Sequence, residues 1–124
     1  MEEKIKQAYA SSKSYPELVS KLIAAGVQSY TVDTVTGIVL FRFANGENLL
    51  QSHGTQNRMI APLFSKEETI KAIRDNQQGK SDYPTFMNDI AKAGVRFYEA
   101  TLSGDNKRVT YIGSGGFYDE KIPL

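Results

Sequence analysis

Apolar residues recur along the chain with two periods, and the order of those periods repeats. Between Ser14 and Gly26, Leu18 and Leu22 stand four apart and share one helix face; between Asp82 and Gly94, Phe86 and Ile90 do the same. Beyond each glycine the period falls to two, the signature of half-buried strands. Tyr30, Val32 and Thr34 alternate in the first stretch, and Tyr98, Ala100 and Leu102 in the second. Val39, Phe41 and Phe43, and later Val109 and Tyr111, give a second strand to each stretch. Asn45-Gly46 and Gly115-Gly116 then suit hairpin turns, so third strands are predicted near 47–52 and 117–122.

This correspondence is a duplication. At an offset of 68 residues, Tyr15-Pro16, Ala25-Gly26-Val27 and Tyr30 meet Tyr83-Pro84, Ala93-Gly94-Val95 and Tyr98. Six of the sixteen positions from Tyr15 to Tyr30 are thus identical, where about one is expected by chance. Glu2-Glu3-Lys4-Ile5-Lys6 echoes Glu67-Glu68-Thr69-Ile70-Lys71 at an offset of 65, so the second copy has three extra residues between its helices. Ser14 with Glu17, and Ser65 with Glu68, have capping-box spacing, and Asp82 takes the cap of the remaining helix. Pro16 and Pro84 fall in first turns, where a missing N–H does no harm. Gly26 and Gly94, each followed by valine, predict left-handed helix stops. Tyr15 and Tyr83 are predicted to pack their rings beside the helix starts with hydroxyls in solvent.

Each copy, 1–64 and 65–124, therefore reads helix, helix, three-stranded meander. A unit of that size with a one-sided sheet is marginal alone, so the copies are expected to share a core. The expected fold class is α+β: one domain over 1–124, helices packed on antiparallel sheet around a pseudo-two-fold axis. The pattern leaves one continuous sheet and two facing sheets both open.

The run Asn76-Gln77-Gln78-Gly79-Lys80-Ser81-Asp82-Tyr83-Pro84-Thr85-Phe86, with Ala93-Gly94-Val95, Tyr15-Pro16, Gly26-Val27 and Tyr30-Thr31-Val32-Asp33, resembles a family of short bacterial and phage-derived proteins often labelled "phage envelope protein". The resemblance spans nearly the whole chain and brings no catalytic residues. Its label implies a virion component.

Composition narrows the chemistry. The 124 residues carry 15 basic and 14 acidic side chains, and neither half is polarised, since 1–62 hold six basic and five acidic residues and 63–124 hold nine of each. Duplex binding asks for a basic face, so nucleic acid is not an expected partner. No cysteine is present, which excludes a disulfide, a thiol nucleophile and a zinc-thiolate site. With one histidine and no calcium-type acidic loop, no metal or other cofactor is expected. Gly113-Ser114-Gly115-Gly116 lacks the lysine and following helix of a phosphate loop. No apolar run approaches the roughly 18 residues of a membrane span, and Met1-Glu2-Glu3-Lys4 is no signal peptide, so a cytoplasmic location without membrane partners is expected.

The segment 51–64 has no counterpart in the second copy. It gathers His53, Gln56, Asn57, Arg58 and Met59 where the copies must meet, and Arg42 adds a cation if it faces away from Phe41 and Phe43. His53, Asn57, Arg58 and Arg42 are the candidate binding residues. The resulting expectation is a small soluble binding or protein-interaction domain, non-enzymatic, with a protein or small molecule as partner and a homodimer possible through sheet edges or a shared face. The alternatives are a small-molecule-binding protein with a pocket between the repeats, and a hydrolase or isomerase using His53 as base.

Overall fold

The computed structural model describes residues 2–52 and 56–123. Helices α1 (Glu2–Ser11) and α2 (Tyr15–Ala24) precede strands β1 (Val27–Asp33), β2 (Val39–Phe43) and β3 (Asn48–Gln51). Helices α3 (Lys66–Gln77) and α4 (Tyr83–Lys92) precede β4 (Val95–Thr101), β5 (Arg108–Gly113) and β6 (Gly116–Lys121). The helix-helix-meander unit is present twice, as the repeat implies.

Local chemistry sets the helix boundaries. Ser14, Ser65 and Asp82 accept hydrogen bonds from the backbone N–H groups of Glu17, Glu68 and Thr85 at 3.3, 3.2 and 2.9 Å. Glu17 reaches back past the cap itself to the Lys13 N–H, at 2.9 Å. Gly26 and Gly94 end α2 and α4 with φ of 94° and 87°. Their N–H groups close the last turns onto Ile23 and Ala91.

One continuous antiparallel sheet results, in the order β3-β2-β1-β4-β5-β6. The two copies join where β1 pairs with β4, and the register places Thr31 opposite Glu99. These residues are themselves equivalents at the 68-residue offset, so the pseudo-two-fold axis runs through this pair. On either side of it, Tyr30 faces Ala100 and Val32 faces Tyr98. The inward side chains of all six strands, with Ile5, Val19 and Leu22 from the first helix pair and Ile73, Met87 and Ile90 from the second, form a single hydrophobic cluster.

The tyrosines depart from the sequence-based expectation. The Tyr15 hydroxyl does not reach solvent; it points inward and shares a 2.5 Å hydrogen bond with the Tyr30 hydroxyl. Burial pushes Tyr15 up to about 12, against a smaller opposing pull from that bond. Tyr30 and Tyr98 are held well above 10 by burial first, and then by neighbouring tyrosines. Tyr83, the equivalent of Tyr15, has a half-exposed ring, yet burial also raises its hydroxyl, which sits beside that of Tyr98. Rings link across the sheet, Tyr98 to Tyr111 at 5.2 Å and Tyr30 to Phe41 at 5.6 Å between centroids.

The linker explains why the two helix-stop glycines are not equal. Its N–H groups at Gln56 and Arg58 bond to the Thr36 and Val35 carbonyls of the first copy. Those at Ala61, Phe64 and Ser65 bond to Ala91, Ser114 and Ala93 of the second. It passes so close to Gly94 that an added Cβ would fall on the Leu63 carbonyl and within 2.9 Å of the Phe64 Cα, whereas at Gly26 the nearest atom, Phe43 Cδ1, is 4.0 Å away.

Three tests follow from this packing. Gly26→Ala is expected to cost about 1 kcal/mol, the strain of positive φ alone, and Gly94→Ala more than about 2 kcal/mol because backbone must also move; urea denaturation of both variants checks this. Folded-state tyrosine values lie above the unfolded value of 10, so the fold favours the neutral phenol. That contribution is full below pH 10 and is lost as pH rises toward 12. Denaturation midpoints are therefore expected to fall through this window. Tyr15→Phe, which leaves the Tyr30 hydroxyl buried without its partner, should cost about 1–2 kcal/mol in urea denaturation, and adding Tyr30→Phe should recover part of that loss.

Candidate functional site

Helices cover one face of the sheet, so outward side chains of every strand form a second, helix-free face. The strand registers make the two copies directly comparable. Five inward positions are alike: Val27 and Val95, Tyr30 and Tyr98, Val32 and Ala100, Val39 and Val109, Phe41 and Tyr111. At a further one Phe43 corresponds to Gly113, over which Phe64 of the linker packs. Outward positions are not. Ser29 against Phe97, Ile38 against Arg108, Leu40 against Thr110, Arg42 against Ile112, Asn48 against Phe117 and Leu50 against Asp119 each exchange polar for apolar or the reverse. Thr31 with Glu99, and Asp33 with Thr101, stay polar in both.

These exchanges sort the face into bands. At one end, Phe97, Ile112 and Phe117 lie side by side across β4, β5 and β6. Ile38 continues that row beyond Asp33, and Leu40 and Leu50 adjoin it on β2 and β3. Phe117 and Leu50 are about two-thirds exposed, at 66% and 67%. The opposite end carries Asn48, Arg42, Ser29, Thr101, Arg108 and Lys121. Between them, Arg42 Nη1 donates to Thr31 Oγ1 at 2.9 Å and lies 3.6 Å from Glu99 Oε1, which also accepts from Thr31 at 3.1 Å. Arg108 Nε stands 3.4 Å from Asp119 Oδ2.

The linker closes off the apolar end. Where it passes from the first copy to the second, an open depression of about 470 Å³ lies among Asp33 and Val35 of the first copy, Ile60 and Pro62 of the linker, and Arg96 and Phe97 of the second. Asp33 Oδ2 already accepts from the Thr36 hydroxyl at 2.6 Å and its N–H at 3.3 Å. Arg96 is exposed and takes part in none of the ion pairs or side-chain hydrogen bonds among the described residues.

Residues 3–116 match the family model described as a protein of unknown function, DUF1398. The chain belongs to the DUF1398 family. No curated protein matches it.

In this DUF1398 chain the sequence-derived candidates fall in different places. His53 lies outside the described residues. Arg42 does face away from Phe41 and Phe43, on the helix-free side. Arg58 spans the copies: its Nη1 approaches the Thr34 carbonyl at 3.5 Å and its Nε donates to Asn88 Oδ1 of α4 at 2.9 Å. Asn57 and Met59 project outward beside it, Met59 with 92% of its surface exposed. Arg42 and Arg58 thus engage different partners and do not form one cluster. Among the described residues, no group of three or more His, Asp or Glu is placed to hold a metal ion, and no helix is long and apolar enough to cross a membrane.

Asp33, Arg96, Phe97, Ile112 and Phe117 were not singled out by sequence reasoning. For Phe97, Ile112 and Phe117 the signal was available in the repeat itself, as positions where aligned copies disagree in polarity. Asp33 and Arg96 align with Thr101 and Gln28, polar in both copies, and carry no such signal.

The Arg42–Glu99 pair is partly open to water, at 40% and 44% side-chain exposure, so its worth is limited. A double-mutant cycle with Arg42→Ala and Glu99→Ala is expected to give a coupling of less than about 1 kcal/mol that shrinks as salt rises.

Proposed function

We propose that this chain is a non-enzymatic protein-interaction module and that it binds another protein on the helix-free face of its sheet. The observation that carries this is the contrast between the two faces. Apart from Phe43 and its counterpart Gly113, strand positions that pack under the helices match between copies, while six outward positions of the same strands have exchanged polarity and gathered apolar side chains at one end. Core positions are held by packing, whereas exposed aromatic residues need another reason, and a docked partner supplies it.

A second copy fits this face poorly. In face-to-face stacking about an axis along the strands, Arg42 would lie over Arg108 of the other molecule; about an axis across them, Phe117 would lie over Lys121. The partner is accordingly a different protein, with an apolar ridge for Phe97, Ile112 and Phe117. We place the module in the cytoplasm rather than in a virion, supported by its balanced charge and the absence of a membrane-spanning helix among the described residues. Nucleic acid and membrane are not among its proposed partners.

Photo-crosslinking in native cells tests the proposal. A crosslinking side chain at position 117 is expected to trap a discrete heteromeric adduct, and one at Glu67 on α3 to trap none. Ile112→Glu should abolish the adduct without unfolding the chain, since Ile112 lies on the uncovered face. Adducts from both positions alike, or none from 117, would overturn it, as would a homodimer found by sedimentation that Ile112→Glu dissolves.

A further inference from the structure

We infer that the depression at the junction of the copies binds a free α-amino acid with an apolar side chain, held as its zwitterion. This rests on the charges at that site and not on the polarity exchange, so it stands apart from the docking reading. Asp33 and Arg96 are neighbours across the β1–β4 ladder, where the Thr34 N–H donates to the Arg96 carbonyl at 3.0 Å. Both line the same depression, yet no ion pair joins them.

Opposite charges that share a concavity without meeting leave a gap between two complementary contacts. A carboxylate alone would suit Arg96 and be repelled by Asp33, and a cation alone would meet the reverse. A molecule carrying both charges satisfies both. Arg96 can donate to its carboxylate in a forked arrangement, and Asp33 Oδ1, the oxygen not used by Thr36, can accept from its ammonium. Ile60, Pro62 and Phe97 line the same depression and give an aliphatic side chain apolar surface to cover. The linker supplies Ile60 and Pro62, and at the symmetry-related place the counterparts of Asp33 and Arg96 are the uncharged Thr101 and Gln28, so the second copy does not repeat the site.

The site is open, so water competes for both charges and the affinity is expected to be millimolar. An amide chemical-shift titration of the isotope-labelled chain with leucine is the test. Leucine is expected to move the resonances of Asp33, Ile60, Arg96 and Phe97 in a saturable way. N-acetyl-leucine, which lacks the ammonium, and leucinamide, which lacks the carboxylate, should each bind at least about tenfold more weakly. Arg96→Gln should remove leucine binding and leave distant resonances in place, whereas Arg58→Gln should retain it. No saturable shift with leucine, equal binding of either blocked form, or undiminished binding to Arg96→Gln would overturn the inference. The crosslinking result at position 117 is independent of all three.

Discussion

Everything in this fold depends on one antiparallel pairing, that of β1 with β4. Each copy alone is two helices on three strands, too small to bury a full core. Pairing the first strand of each meander turns two small sheets into one of six strands and brings both helix pairs to the same side. It also sets the symmetry, because Thr31 and Glu99 are equivalent residues placed directly opposite each other. The buried tyrosines follow: Tyr30 and Tyr98 flank the axis, and Tyr15 and Tyr83, at the first positions of their helices, lean their hydroxyls toward them. Each tyrosine pair lies within one copy; across the join itself Thr31 Oγ1 donates to Glu99 Oε1 and Arg42 pairs with the same carboxylate, so these polar contacts fix the register and the apolar ones make the join stable.

The linker adds a second, weaker tie. Its backbone bonds first to the β1–β2 turn and then to the end of α4 and the β5–β6 turn, so it clamps the sheet at one end. Gly94 is the residue that lets it pass. The same glycine serves as helix stop in both copies, but only in the second does the chain press against it. Equivalent residues thus carry unequal loads, and the inequality has its origin in a segment that occurs once.

Much of the architecture was legible in the sequence because its signals are local. A cap and its N–H partner are three residues apart, a glycine stop adjoins its helix, and alternation needs only a strand's own residues. What was not legible depends on residues far apart in the chain. Alternation says that Thr31 and Glu99 face the same way along their strands; it does not say that they meet, across a separation of 68 residues. It therefore left one sheet or two undecided. The direction of the Tyr15 hydroxyl failed for the same reason, since Tyr30 comes under it only through the packing of α2 on the sheet. Arg42 was recognised as an outward cation, but Asp33 and Arg96 look like ordinary surface charges until the ladder sets them side by side.

The two faces of the sheet also separate drift from constraint. Under the helices, a substitution in one copy must fit a packed interior, so Val39 and Val109 or Phe41 and Tyr111 stay close in size and polarity. On the uncovered face packing imposes no such limit, and drift alone tends toward polar residues, because exposed aromatic surface invites association. Drift would also scatter its changes. Here the apolar replacements Phe97, Ile112 and Phe117 stand in one row across three strands, beside the linker, while Arg42, Arg108 and Lys121 hold the opposite end. An ordered division of that kind, on the face that no helix covers, is what the proposed docking of a partner would call for and what drift alone would not produce.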